Sequence, residues 1–594
     1  MKSGHYFLFH KLISVAFAVF VVLTVEFVVF RALEGPVIVP GFDNHGLRER
    51  TIEDWATNKT LVVQYFVFMK RMLTGDFGTS TAVWKGAEVS GAIYYNAART
   101  AVLFALAAFL SIALGTLAGV LVSRRKARVS GRVAALLWLL LFSVSAFIFS
   151  NLIIWQVVGR FHLDWPLWGT FGRDYQSMNI LGKAWDFAKH AVLPIVSVVL
   201  ACSGAFALVV REGILKAMNA EGSRGLEIAP PDAGISIHPT HVSDVFLAFA
   251  PHLKLLIMWV LSCVLVTELA FSWQGLGLLL WDSIMMRDFI VFQASFFVIA
   301  LLAIFSIFGW DMIIFLSGRD GTKDPSRTGF PEQADVAAST SATARLQAIW
   351  QEYGKSASGL IALCVFLALG VMAVVGPMVV KIDSGALGAS NPDPVAYFVQ
   401  GGRDLYLVVF LTVLMSTVLG VVVGVISLEA RVLDRILMLL VDAFLILPLL
   451  PLAMAAAMNG FYSNPSILQI ALLVSIVSWA PIAMIVRERA KSSRQASRSR
   501  YKSPDAVWLH LRDAISVGKL VAVISVLALT FLELFAPYNL HSWGAAIEWE
   551  YGHVGFRELS LYWILPVCGI VLLGVRLYKV LEHLERALTK VHEV

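Results

Sequence analysis

Apolar runs of about twenty residues recur along this 594-residue chain, and about twenty residues at a rise of 1.5 Å is the length a helix needs to cross the hydrocarbon of a bilayer. Twelve such runs are read, near 9–31, 100–122, 133–158, 191–210, 253–272 and 290–316, then near 357–380, 405–427, 436–458, 466–486, 519–537 and 560–578. The runs are continuous rather than alternating. In lipid the backbone must therefore be satisfied within each segment, by helices and not by a barrel. Composition agrees: 58% of residues are hydrophobic and 15% charged, with a mean hydropathy of +0.76, outside the range of soluble domains. The expected fold is an all-α, polytopic membrane protein of about 12 transmembrane helices.

Basic residues report orientation, because short cytoplasmic loops retain lysine and arginine. Segment 123–132 carries Arg124, Arg125, Lys126, Arg128 and Arg132 with no acid, and segment 486–502 carries seven basic residues against Glu488 alone. Both are expected to face the cytoplasm. Segment 31–99 mixes eight basic with seven acidic residues, as an external loop can. Six spans then return the chain to the cytoplasm, where the polar segment 321–355 reads as a linker. The chain divides into a first half, 1–320, and a second, 356–594, both starting inside, so the repeats run parallel, with the N-terminus, linker and C-terminus cytoplasmic. "ALGTLAGVLVSR" (113–124) resembles "VLGVVVGVISLE" (418–429). Each holds a Gly-xxx-Gly pair, Gly115 with Gly119 and Gly420 with Gly424, in the second span of its half, a spacing that lets helix backbones approach closely.

Several chemistries find no motif. The four cysteines, Cys202, Cys263, Cys364 and Cys568, fall inside expected spans at no metal spacing, and the thirteen histidines show no ligand pattern. No Gly-x4-Gly-Lys-Ser/Thr cradle for a nucleotide is present. Neither a metal nor a bound cofactor is expected in the chain, and the clustered intramembrane His, Asp or Cys ligands that a membrane-embedded enzyme would require are absent from the sequence. Trp273, Trp281, Trp543 and Trp549 lie near external span edges and read as an aromatic belt.

Longer motifs add a resemblance. "QYFVFMKRMLTGDFGTS" (64–80) carries Gly75, Asp76, Gly78 and Ser80 in an external loop, followed by Thr100 at the opening of the second span. "TELAFSWQGLGLLLWDSIMMRDFIVFQ" (267–293) carries Glu-x-x-Phe-x-x-x-Gly-Leu-Gly and then Arg287 with Asp288. In the second half, "GGRDLY" (401–406), Asp434, Arg435, "HLRDAI" (510–515), "TFLEL" (530–534) and "SWG" (542–544) follow in matching order. The chain resembles the dipeptide/oligopeptide/nickel family of ABC transporter permeases, with the two usually separate subunits fused.

That resemblance implies a fold like that of a type I ABC importer and the permease role, moving a small solute, foremost a peptide, across a prokaryotic plasma or inner membrane. It further implies two ABC ATPase subunits as partners, which would bind ATP and Mg, and an external solute-binding protein. ATPase-coupling loops are expected before both fifth spans, at 211–252 and 487–518. Their candidate residues are Arg211, Glu212, Ala220, Arg224, Gly225 and His241, then Arg487, Arg500, Asp505, His510 and Asp513. The first loop contains "PPDAGISIHP" (230–239), whose prolines forbid one continuous helix. The second has no glycine near 500–502, where the family places one.

Acids within spans are costly to bury and mark candidate solute contacts. Glu26 lies in the first span, Asp442 in the third span of the second half, and Glu268 and Glu533 near the ends of the two fifth spans. A rival reading is a twelve-span secondary carrier driven by an ion gradient, which has no need of long loops before both fifth spans.

Overall fold

The computed structural model describes residues 2–28, 45–123, 129–162, 165–222, 239–316, 342–379, 394–446, 467–496, 506–534, 543 and 561–593. Among these residues the architecture is helical, and extended pairing is confined to one antiparallel bridge between Thr79 and Glu88. The first half runs α1 (Lys2–Phe27), the short α2 (His45–Asp54) and α3 (Leu61–Thr74), α4 (Val89–Ser123), α5 (Val129–Phe142), α6 (Ala146–Leu152), α7 (Ile180–Gly222), α8 (Pro239–Ala270), α9 (Leu276–Met285) and α10 (Phe289–Leu316). The second runs α11 (Ala342–Gly354), α12 (Ala357–Val379), α13 (Pro394–Ile426), α14 (Arg431–Ile446), α15 (Ile467–Ser478), α16 (Ala480–Ala496), α17 (Ala506–Leu534) and α18 (Leu561–Glu593).

Seven of these helices, α4, α7, α8, α10, α12, α13 and α18, are long and apolar enough to cross a bilayer unaided. Two bent pairs, α5 with α6 at 91° and α15 with α16 at 44°, raise the number to nine. The remaining three expected spans fall on α1, α14 and α17, which do not meet that criterion over their described residues. The sharper bend has a local cause. Ser143 adds its hydroxyl to the Leu139 carbonyl that its own N–H already reaches, and Ser145 accepts from the Ile148 N–H to cap a new helix.

Both Gly-xxx-Gly pairs are contact points, in the same register. A Cβ on Gly115 would sit 2.4 Å from the Phe206 Cβ, and one on Gly119 2.8 Å from the Ala207 carbonyl, both on α7. In the second half a Cβ on Gly420 would meet Ile482 at 2.7 Å, and one on Gly424 the Ala483 carbonyl at 2.9 Å, both on α16. The second helix of each half thus packs backbone to backbone on the fourth, where dispersion supplies the attraction that lipid cannot. On the opposite face of α4, Leu106, Phe109, Leu114, Leu117 and Leu121 are exposed at helical spacing. That face suits acyl chains.

The halves share one core. A continuous cluster of buried apolar residues extends from Ala18 in α1 to Tyr578 in α18, and α1 packs on α14, α8 on α16 and α5 on α18. The segment read as a linker needs a correction over its last third. Residues 342–354 form α11, which docks on α18 through Ile349 and Tyr353, at i and i+4 on one helix face, against Ala587 and Leu588. The Tyr353 hydroxyl donates to the Gly359 carbonyl at 3.0 Å, and Lys590 pairs with Glu352 at 2.6 Å.

Candidate functional site

The two longest motifs of the first half meet on one carboxylate. Gly75 ends α3 in the left-handed region (φ 74°), its N–H reaching the Met72 carbonyl, and Gly78 also has positive φ (81°). Those turns carry the chain back so that Ser80 faces Asp288, which is fully buried between α9 and α10. Asp288 Oδ2 accepts from the Ser80 hydroxyl at 2.6 Å and from the N–H groups of Thr81, Ala82 and Val83 at 3.0, 2.8 and 3.0 Å. Its Oδ1 accepts from the Val291 N–H at 3.2 Å, capping α10. Arg287 holds a left-handed backbone (φ 55°) and points outward, while Asp76 is exposed and pairs with Arg71 at 2.9 Å. The loop after α3 is thus held by an acid from a motif two hundred residues later.

Glu268 performs the same service beside it. Its two carboxylate oxygens accept from the Thr100 hydroxyl (2.7 Å) and from the Gly277 N–H (2.6 Å), and Thr100 Oγ1 accepts from the Leu276 N–H (2.7 Å). The first two orphan amides of α9 are therefore capped by an acid and a hydroxyl from other spans. Gly275 and Gly277 leave room for this arrangement. A Cβ on Gly275 would lie 2.2 Å from Glu268 Oε1, and one on Gly277 2.4 Å from the Leu265 carbonyl. Gly277→Ala is accordingly expected to destabilise the chain by about 1–3 kcal/mol through overpacking against backbone, read as a lowered midpoint in a thermal aggregation assay of the solubilised protein. An unchanged midpoint would remove the cap from this account.

Between the halves lies a cavity of about 80 Å³, walled by α6, α8, α14, α15, α16 and α17. Its lining is apolar apart from Ser145, Ser262, Ser478, Cys263 and the indole of Trp259, and holds no charged side chain among the described residues. The two fifth helices, α8 and α17, face each other across it. Towards their N-terminal ends each carries a lysine fourteen residues before the span-end acid, Lys254 before Glu268 and Lys519 before Glu533. Each lysine binds an acid of the last helix in its own half: Lys254 pairs with Asp311 at 2.5 Å, and Lys519 with Glu585 at 2.7 Å. Each cluster then gains one further member. Lys11 of α1 joins Asp311 at 2.7 Å, and Glu212 of α7 joins Lys519 at 2.6 Å, tying the first half to the second.

No protein-family model matches the chain. Over 257 residues, 41% of the chain and 76% of the relative, it is 25% identical to the dipeptide transport system permease protein DppB of Alkalihalophilus pseudofirmus. Over 283 residues, 47% of the chain and 87% of the relative, it is 25% identical to the oligopeptide transport system permease protein AppB of Bacillus subtilis. Its curated homologues are peptide ABC-transport permeases. Each such permease accounts for less than half of the chain.

With those permease homologues in view, the remaining candidates sort by where their side chains go. Arg487 grips Asp434 through two bonds, at 2.8 and 2.6 Å, and so ties α16 to α14. Asp513 is 1% exposed and binds Arg489 at 2.8 Å and Arg512 at 3.0 Å. His510, ahead of the apolar stretch of α17, is also buried; burial holds its imidazole below the usual range, with the Asp513 charge opposing. Expected to face a partner, these two residues point into their own half instead. Glu212 is engaged with Lys519, and Arg211 is half-buried beside it. Ala220 lies on α7 and His241 on α8, with side chains outside the described residues; Arg224, Gly225, Arg500 and Asp505 lie outside them altogether.

Of the four acids weighed as solute contacts, none lines the cavity among the described residues. Glu268 caps α9. Asp442 accepts from Ser14 of α1 at 3.2 Å, joining the halves. Glu26 is 1% exposed, with neither oxygen bonded among the described residues, and the Glu533 side chain lies outside them. The aromatic belt also needs correcting. Trp273 and Trp543 are 0% and 1% exposed; Trp543 stacks on Phe398 at 5.1 Å, donates to its carbonyl at 2.7 Å and fills the notch left by Gly402 and Gly569. Trp549 lies outside the described residues. Sequence reasoning missed Lys254 and Lys519. The shared fourteen-residue spacing was the available signal for the lysines.

Proposed function

We propose that this chain is a transmembrane permease subunit of an ATP-driven peptide importer, carrying two permease halves in one polypeptide, with the solute path running between them. The observation that carries the reading is the cavity between the two fifth helices, walled by elements of both halves and underlain by an ion-pair cluster at the foot of each. At about 80 Å³ it is smaller than the roughly 150 Å³ that accommodates a benzene ring, so passage requires the halves to part. That is the behaviour of an occluded state in alternating access, biased by whatever binds the cytoplasmic face. Two ATPase subunits carrying ATP and Mg would supply that bias, and an external binding protein would deliver the peptide. The names of the homologues support peptide as the solute.

The test is uptake of a labelled tripeptide by cells that carry the chain with its neighbouring ATPases. Replacing the phosphate-binding lysine of the ATPases is expected to abolish uptake while the chain still reaches the membrane. Uptake that survives this change but collapses when the proton or sodium gradient is dissipated would establish an ion-driven carrier instead.

A further inference from the structure

Helix α11 carries an apolar stripe at i, i+3, i+4 and i+7, made of Leu346, Ile349, Trp350 and Tyr353. Helix α18 covers only half of it. Ile349 and Tyr353 are buried against that helix, whereas Leu346 is 43% and Trp350 59% exposed. Gln347 and Gln351 are exposed alongside. The helix is amphipathic, and a leucine and an indole are left over once its protein contact is made.

The place of α11 in the fold says what covers them. Two residues after its end α12 begins, a helix long and apolar enough to cross a bilayer, with Leu360, Ile361, Leu367 and Val371 exposed along it. The first turn of α12 is level with His583 of α18, whose Nε2 lies 2.9 Å from the Ser358 hydroxyl and whose Nδ1 lies 3.2 Å from that of Ser356. Helix α18 has 33 residues and is about 50 Å long, more than the roughly 30 Å of hydrocarbon. Its charged stretch, Lys579 to Lys590, is the part that projects, and α11 lies against it. A tryptophan and a leucine at that level, continuous with the exposed side of a span, stand where interfacial anchors stand.

Charge points the same way. Two carboxylates here are each shared by two cations: Glu352 by Lys355 at 2.7 Å and Lys590 at 2.6 Å, and Glu582 by Lys579 at 2.7 Å and by Arg586. Each group therefore keeps one net positive charge. The acids are turned inward and the cations outward, Lys355 being 72% and Lys590 65% exposed. An anionic surface is the complement of that arrangement.

We infer that α11 is an interfacial helix that docks on an anionic phospholipid surface, Leu346 and Trp350 entering the boundary between headgroups and acyl chains while Lys355 and Lys590 supply cations for the lipid phosphates. One helix then holds the bilayer on one flank of its stripe and the last helix of the chain on the other. This holds whatever the solute is.

The test places a nitroxide on Leu346→Cys in the full-length chain, with Cys202, Cys263, Cys364 and Cys568 replaced by alanine. The protein is studied in phosphatidylcholine nanodiscs containing increasing fractions of phosphatidylglycerol. Oxygen, which concentrates among acyl chains, is expected to relax the nitroxide more than an aqueous nickel chelate does, and phosphatidylglycerol is expected to raise that ratio. Adding Lys355→Gln and Lys590→Gln is expected to raise the half-saturating phosphatidylglycerol fraction at least about fivefold, the factor for one cation at an anionic surface. A nitroxide reached better by the nickel chelate would put this face in water, and one shielded from both reagents would mean that protein covers it. Either result, or a ratio indifferent to phosphatidylglycerol, overturns the inference. The parent chain with its own cysteines gives a second reading that does not depend on their replacement. Brominated phosphatidylglycerol is expected to quench a larger share of the tryptophan emission in the parent than in Trp350→Phe, and equal shares would overturn the inference as well.

Discussion

A Lys519→Met chain is expected to lose about 3–5 kcal/mol of stability, the usual consequence of removing one member of a buried ion cluster. Lys519 is 2% exposed and stands between Glu212 at 2.6 Å and Glu585 at 2.7 Å, with Tyr578 alongside. Methionine matches its length and apolar stem but removes the ammonium that the two carboxylates share. The measurement is loss of the monodisperse peak on heating in mild detergent. The control is the triple variant Lys519→Met, Glu212→Gln, Glu585→Gln, which removes the lysine together with both its acids and is expected to recover most of the loss, since the excess negative charge left by the single change is gone. If the single and triple variants melt alike, the charges are not what holds α7, α17 and α18 together. Lys254→Met is expected to cost less, because Lys11 still neutralises Asp311.

The second large effect is expected at the loop held by Asp288. In Asp288→Ala, four donors from residues 80–83 and one from Val291 lose their acceptor at once. Hydrogen bonds to a charged group contribute about 1.5–3 kcal/mol each, so even with strong non-additivity the loop loses on the order of 3 kcal/mol. Lys85 is exposed at the tip of this loop and is a natural trypsin site. Cleavage after Lys85 in right-side-out vesicles is expected to accelerate about a hundredfold in the variant, the factor equivalent to roughly 2.7 kcal/mol of local opening. Asp288→Asn, which keeps one acceptor oxygen without the charge, should fall between. Cleavage at the parental rate in Asp288→Ala would mean that the loop is held by Phe77 and its neighbours rather than by the carboxylate.

These two sites differ in how much of them was written locally. The motif around Gly75 and Ser80 and the motif around Glu268 and Asp288 were each legible as sequence, through their resemblance to segments of peptide-transport permeases. That Asp288 closes on Ser80, or Glu268 on Thr100, was not. Those pairs are 208 and 168 residues apart, and no local rule links them. The intramembrane acids were singled out correctly as costly groups, yet cost alone does not say whether a charge is aimed at a solute or spent on a cap. Glu268 went to a cap and Asp442 to Ser14 across the halves. His510 and Asp513 read as coupling-loop residues by their position before the fifth span, and the packing of α16 on α17 buries both.

The sequence by itself determined that this chain lives in a bilayer as helices, and that its two Gly-xxx-Gly pairs each bring one helix against another. Both depend on residues near one another in the chain, whose periodicity and hydropathy act over a few turns. Tertiary structure decided the bends in two spans, the docking of α11, the shared core, and the cavity with its lysine clusters below. Those depend on which helix faces meet. In a chain where nearly every helix is apolar all round, hydropathy is silent about that choice, and close packing with the pairing of a few buried polar groups makes it.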